Sequence, residues 1–487
     1  MSSMFLRSPL VLAVAFALSA CSLAPKYERP DSPVPAQFPL AQQGQADAAQ
    51  AADLGWREFF TDPRLHALIE QALENNRDLR IATQRIEEAR AQYGVARSDQ
   101  LPSIGVQAAE QATHTPAGLR PGGPNSAPVT RTFQAGVGIT AFELDFFGRV
   151  RDLARAAQEQ YFATEQAQRT AHIALVAGTA EAYFKVRTAE ELHALMSNTL
   201  RSRQETLRLV QSSYDAGTVS ALDLNQAKVQ YNTVRSDMQA VERDRQRALN
   251  ALQVLLGGEI PADLPAGLPF TRAQLMPSLP VGLSAELLER RPDILAAEHV
   301  LRGSNYSIGA ARAAFFPRLS LTGLLGFMSP ELGGLFSSGN RYWQFQPQIT
   351  MPLLSGSTWA NLDLAEARRD IAISQYEKTI QEAFREVADA LAGEATYGQQ
   401  IDALQEVDQA ASESLRLAKL RYEVGIDSFL QVQTAEVSLY GTRQAYIQTG
   451  LASLMNRVEL YKALGGGWTA ETVKPETKTQ ATGTAPE

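Results

Sequence analysis

Reactive side chains are sparse in this chain of 487 residues, and their spacing excludes most chemistry. The five histidines are His66, His114, His172, His193 and His299, with no metal-ligand pairing among them at helical spacing. Cys21 is the only cysteine, which excludes a CxxC motif and any disulfide within the chain. No glycine-rich phosphate loop and no nucleophile elbow occurs. Asp and Glu are abundant, but they fall at the spacing of solvated helix faces. The residues therefore point to no enzyme, no cofactor and no metal site. A formal charge of −8 is spread along the sequence and leaves no basic stripe for nucleic acid.

The one thiol has an informative context. Arg7 supplies a positive start, Leu10–Leu18 is a short apolar run, and Leu18-Ser19-Ala20-Cys21 follows. The run is too short to span a bilayer, so residues 1–20 read as a cleaved signal. The tetrapeptide resembles the bacterial lipobox, where cleavage leaves the cysteine to be diacylated and N-acylated, with palmitate a typical chain. Three acyl chains on Cys21 would anchor far more firmly than one. Ser22 stands where an aspartate would resemble an inner-membrane retention signal, so outer-membrane sorting is expected. Residues 21–60, rich in Pro, Ala and Gln at first, read as an extended tether, and residues 467–487 read as a frayed tail.

Between these ends the chain says nearly the same thing twice. Segment 208–258 lies on segment 416–466 at a constant offset of 208 residues, so that Arg208, Tyr214, Gly217 and Ser220 meet Arg416, Tyr422, Gly425 and Ser428. Upstream the offset is 215, which aligns Asp78, Ala96-Arg97 and Pro102 with Asp293, Ala311-Arg312 and Pro317. Such a long unit is no solenoid repeat. It describes two structural halves, 61–258 and 284–466, joined by a linker at 259–283.

Proline placement locates the helices. None of the 24 prolines lies between Val129 and Ile260 or between Leu353 and Lys474. Both stretches are dense in good helix formers, with apolar residues at helical spacing such as Ile380, Phe384, Val387 and Leu391. Helical hairpins are expected at about 150–257 and 358–464. The first run, to Ser213, would reach on the order of 90 Å at 1.5 Å per residue. Each hairpin breaks once, at Gly217 and at Gly425, where a left-handed residue can end one helix and Ser220 or Ser428 can cap the next.

Two short segments precede each long helix. Alternation marks strands near 103–112, 131–143, 318–328 and 342–352, most clearly where Trp343, Phe345, Ile349 and Met351 alternate with Gln344, Gln346, Gln348 and Thr350. About ten residues suffice to cross a bilayer when tilted. Four strands cannot close a barrel, and open edges are not tolerated in lipid, so membrane strands here require oligomerisation. Two half-buried hairpins on a soluble core would give the same alternation.

Particular motifs resemble a family. Arg290-Arg291-Pro292-Asp293-Ile294-Leu295-Ala296-Ala297-Glu298, followed by Ile308 to Pro317, looks like the signature of lipoprotein outer-membrane efflux factors, the TolC-like OprM/NodT branch. Ala24-Pro25-Lys26-Tyr27-Glu28-Arg29-Pro30, Trp56 to Phe60 with Asp62, and Phe142 to Arg149 also fit. The resemblance covers the whole mature chain. It implies a mostly α protein with membrane β: a TolC-like trimer, a 12-stranded barrel with four strands per chain, a long periplasmic α-helical tunnel, and an equatorial belt supplied partly by Pro261–Leu283. It also implies a Gram-negative outer membrane, a membrane-fusion adaptor and an inner-membrane pump of the RND type. The channel would be a passive conduit for drugs or other small solutes. A type I protein-secretion duct on the same fold is the alternative, and a non-conducting lipoprotein scaffold is a third reading.

The resemblance also places a gate at the tips. Family members commonly carry acids six and nine positions after the second tip glycine, where this chain has Gln431 and Thr434. The first-copy acid is present as Asp223. Asp427 from three chains, with Arg421, Tyr422 and Asp223, is therefore expected to form a charged constriction, although Asp427 could equally just cap the following helix. Gly217, Thr218, Val219, Gly425 and Ile426 are the expected adaptor contacts.

Overall fold

The computed structural model describes residues 22–39, 54–123, 125–268 and 290–471. The signal, Cys21 and most of the linker lie outside these. Three short helices come first: α1 (Trp56–Phe59), α2 (Pro63–Asn75) and α3 (Arg77–Ser98). Strands β1 (Ile104–His114) and β2 (Val129–Leu144) follow, and then the helices α4 (Arg149–Asp215) and α5 (Ala221–Leu256). The second half repeats the order with α6 (Pro292–Ala313), β3 (Arg318–Ser329), β4 (Arg341–Thr350), α7 (Gly356–Glu423) and α8 (Phe429–Ala463). α4 and α7 have 67 and 68 residues, which makes each about 100 Å long at 1.5 Å per residue. Among the described residues no helix is long and apolar enough to cross a membrane.

The chain divides into two compact units. One comprises the segment up to Asp31 with Arg85–Glu165 and Ala296–Glu377, and holds the sheet. The strands form one antiparallel sheet in the order β1-β2-β3-β4. Register sorts their side chains into two faces. Val106 pairs with Val137, Val137 with Leu325, and Leu325 with Trp343, which makes an unbroken apolar row across all four strands. The adjacent row runs through Gly105, Gly138, Leu324 and Gln344 on the opposite face, where Gln344 donates to Gln346 at 2.9 Å. The apolar row lies in the open, with Val106 85% and Trp343 73% exposed. So much bare apolar surface on a sheet face calls for a partner other than water.

The segment after residue 21 is held in place in this unit. Ser22 Oγ donates to the buried Asp152 carboxylate at 2.8 Å. Tyr27 and Arg29 donate to Glu298 at 3.0 and 2.7 Å. The signature residue Gly309 lies against Ala24, and a Cβ there would come within 2.7 Å of its backbone nitrogen. The composition predicts a loose tether; specific polar contacts to α4 and α6 fix residues 22–30 instead.

The second unit comprises Ser32–Gln84, Gln166–Leu295 and the chain from Lys378 onward. Its core contains Trp56, Phe59, Phe60, Leu65, Tyr183, Phe184 and Tyr461, with Phe59 stacked on Tyr461 at 4.0 Å. Residues 56–60 thus belong to a packed core rather than a tether. The start of the expected frayed tail is likewise fixed, because the Thr469 and Ala470 carbonyls accept from the Trp56 and Arg57 amides. The duplication is written into hydrogen bonds here. Asn76 Nδ2 donates to Leu255 O at 2.9 Å, and Arg291 Nη1 donates to Ala463 O at 2.9 Å. Each satisfies a last-turn carbonyl of the returning helix in its own repeat, and the two pairs are related by the offsets read from the sequence.

Candidate functional site at the hairpin tips

The tips that join α4 to α5 and α7 to α8 share one backbone design. Gly217 and Gly425 have φ of +73° and +75°, and a Cβ on either would meet nothing within 4 Å. Glycine is therefore favoured by the left-handed backbone and not by crowding. Thr218 N donates to Ser213 O, and Ile426 N donates to Arg421 O, each at 2.9 Å. These six-to-one bonds satisfy the helix ends.

The copies then diverge. In the first, Ser220 and Asp223 form a complete capping box: the Ser220 hydroxyl accepts from the Asp223 amide, and the Asp223 carboxylate accepts from the Ser220 amide at 3.2 Å. In the second, Ser428 holds the cap position but its side chain makes no capping bond. Gln431 occupies the place of Asp223. Asp427 turns back to Arg421 and accepts from its Nε at 2.5 Å and its Nη2 at 3.2 Å. The hydrogen bond from Arg421 holds the Asp427 carboxyl below the usual carboxylate range. Asp427 therefore ties its own loop and caps nothing.

Of the expected gate residues, the structure joins Arg421 to Asp427 and seats the Tyr422 ring beside Phe429, 5.4 Å between centroids. Asp223 is engaged in its cap. The two tips pack on one another through Val210, Leu224, Ala227, Phe429 and Val432, with Val219 and Tyr422 at the margin. The outer side of the second tip is apolar and open: Val424 is 69% and Ile426 64% exposed.

Above this cluster is a pair that the sequence reading missed. Arg203 on α4 donates to Glu436 on α8, and both are nearly buried at 5% and 7% exposure. Lys419 approaches the same carboxylate at 3.4 Å. A groove of about 1100 Å³ runs alongside, lined by residues from Asn198 to Ser213 on α4 and by Lys419, Tyr422, Phe429 and Glu436. The signal was present in the repeat. At the same offset Arg203 faces Ala411 and Glu436 faces Lys228, so both residues depart from their copies in complementary sense.

The model of the family described as outer membrane efflux protein matches this chain twice, over residues 68–258 and 283–466. The chain belongs to the outer membrane efflux protein family. The probable efflux pump outer membrane protein TtgC of Pseudomonas putida is 43% identical over 96% of this chain and 97% of its own length. The cation efflux system protein CusC of Escherichia coli O157:H7 is 41% identical over 94% and 98%. The open-state crystal structure of the Neisseria gonorrhoeae MtrE outer membrane channel superimposes with a TM-score of 0.84 at 38% identity, covering 93% of this chain and all of that one. The fold is TolC-like, and this efflux protein is an outer-membrane channel component of an efflux system.

Proposed function

We propose that three copies of this chain close a single 12-stranded barrel and extend the long hairpins into a periplasmic tunnel. One observation carries this reading: a four-stranded sheet whose outer strands, β1 and β4, have no further strand partner among the described residues, and whose apolar face is bare. Open edges in lipid leave backbone groups unsatisfied, and four strands are too few to close. Three such sheets joined β4 to β1 remove every edge.

In this reading Cys21 carries the acyl anchor, and the open apolar side of the tips, with Gly217, Thr218, Val219, Gly425 and Ile426, meets a membrane-fusion adaptor. Beyond the adaptor stands an inner-membrane pump of the RND type. The protein is a passive conduit for drugs or other small solutes. Substrate choice rests mainly with the pump, in keeping with an efflux-pump relative and a cation-efflux relative at nearly equal identity, 43% and 41%. Asp427, Arg421, Tyr422 and Asp223 form the resting constriction at the tunnel entrance.

Native mass spectrometry of the purified full chain tests the assembly: the expected species is a trimer bearing acyl mass at the mature N-terminus. A monomer or dimer as the membrane-extracted species would contradict the proposal. Restored drug resistance in a strain that lacks only its own outer-membrane efflux channel is the expected functional result.

A further inference from the structure

The outer end of the sheet carries charge where its lipid-side face should be apolar. The loops β1–β2 and β3–β4 lie at the end of the strands away from the helices, which in an outer-membrane channel with a periplasmic tunnel is the external end. On the face defined by Val137, Leu325 and Trp343, the apolar run ends at Glu110, which pairs with Phe133, and at two arginines. Arg341 pairs with Phe327 and begins β4. Arg131 lies two residues outward of Phe133, which pairs with Ser329 at the end of β3. The two arginines therefore flank the outer end of β3 on the same face.

Both cations are available. The Arg341 side chain is exposed, and the guanidinium makes no hydrogen bond or ion pair among the described residues. Arg131 has only a long contact of 3.7 Å to Glu110, with its side chain 64% exposed. Between them the β3–β4 loop folds onto this same face, with Phe336 packed edge-on against Phe327 at 5.5 Å. Phe336 is nevertheless 71% and Leu332 66% exposed. An unpaired guanidinium on a lipid-facing strand is tolerated only near the interface, where the cost of placing it approaches zero. Beside it stands an apolar ledge that water does not favour. Together they describe an amphipathic site: fork-shaped donors that match phosphate, next to a surface that takes an acyl chain.

We propose that this outer end of β3 binds the phosphorylated headgroup of an acylated outer-leaflet glycolipid of the lipid A class, with Arg131 and Arg341 as phosphate ligands and Phe336 and Leu332 as the acyl ledge. Charge complementarity selects the occupant, since the lipid of the external leaflet is the one that offers phosphate and acyl chain together at this height. The proposal rests on the assignment of β1–β4 as membrane strands.

The test uses the purified full-length trimer in detergent, with diphosphoryl lipid A, its monophosphoryl form and phosphatidylglycerol as probes, read by native mass spectrometry. Diphosphoryl lipid A should be retained by the wild type and lost at least tenfold by Arg131→Gln/Arg341→Gln. The monophosphoryl form should fall between, and Arg131→Lys/Arg341→Lys should retain more than the glutamine pair. Equal retention by the glutamine variant overturns the site. Equal retention of phosphatidylglycerol overturns the commitment to lipid A. A chain that forms no membrane-inserted trimer would instead overturn the strand assignment beneath it.

Discussion

Asp427 accepts two hydrogen bonds from Arg421 across the second tip, at 2.5 and 3.2 Å, while its repeat counterpart Val219 packs at the margin of the tip core. One tip is thus tied by a cap and the other by an exposed ion pair. The ion pair can be broken by salt, by protonation or by a partner's charges, because exposed pairs are weakly held and screened. The gate proposal follows from that asymmetry. Asp427→Ala should raise single-channel conductance at least twofold and alter ion selectivity. Unchanged conductance and selectivity would remove Asp427 from the gate.

The capping difference has its own signature. Loss of an engaged cap costs about 1 kcal/mol, which corresponds to roughly fivefold faster local opening if the cap acts on that turn alone. Ser220→Ala should therefore speed hydrogen exchange in the first turn of α5. Ser428→Ala, which removes no capping bond, should leave the first turn of α8 within about twofold of wild type. Equal effects at both sites would contradict the observed geometry.

The tip glycines separate backbone from contact. Asparagine tolerates the left-handed conformation better than other side chains, and the space beside each glycine is empty. Gly217→Asn and Gly425→Asn should retain trimers and most drug resistance. Gly217→Arg and Gly425→Arg should retain trimers and abolish resistance, because bulk and charge there block the adaptor. Normal resistance in the arginine variants would refute adaptor contact at the tips.

Arg203 and Glu436 are predicted to behave as a buried pair. Removing one partner of a buried pair typically costs about 3–5 kcal/mol, whereas apolar replacement of both can be neutral; Lys419, 3.4 Å from Glu436, offsets part of the loss of Arg203. Arg203→Met should lower the thermal midpoint of the trimer substantially, and Arg203→Met/Glu436→Leu should recover most of the loss. Additive losses in the double variant would contradict the pairing.

Glu298 makes the N-terminal strap sensitive to acid. Burial raises its carboxyl, but Arg29, Arg302 and Tyr27 outweigh burial and hold it below the usual range. A depressed carboxyl contributes stability that is complete above its ordinary value, about 4.3, and is lost as pH falls through the lowered value. Residues 22–31 should resist proteolysis at pH 7 and at pH 5 and become cleavable only as pH falls below that ordinary value and the lowered Glu298 carboxyl takes up its proton. Glu298→Gln should expose them at neutral pH. Full protection of that variant would place the strap's hold elsewhere.

The extent of legibility follows from the range of each signal. Alternation in Trp343, Phe345 and Ile349 and the absence of proline from the long runs are local, so strands and helices could be read directly. Self-comparison extended this to the two halves. What escaped were contacts between distant positions. Composition makes residues 22–30 look loose, and only the folded chain brings Tyr27 and Arg29 to Glu298. Asp223 and Asp427 were visible as acids near glycines, but whether each would cap a helix or pair with a neighbouring arginine depended on side-chain direction at the turn. Arg203 and Glu436 lie 233 positions apart, and only their joint departure from the repeat hinted at a pair.

The central claim is that this chain, assembled as a trimer, is a passive conducting channel. Single-channel recording of the purified full-length protein in planar bilayers tests it most directly. The account predicts ohmic current steps without any energy source, small in the wild type and larger in Asp427→Ala. Bilayer-inserted trimers that conduct in neither form would contradict it and identify the protein as a scaffold.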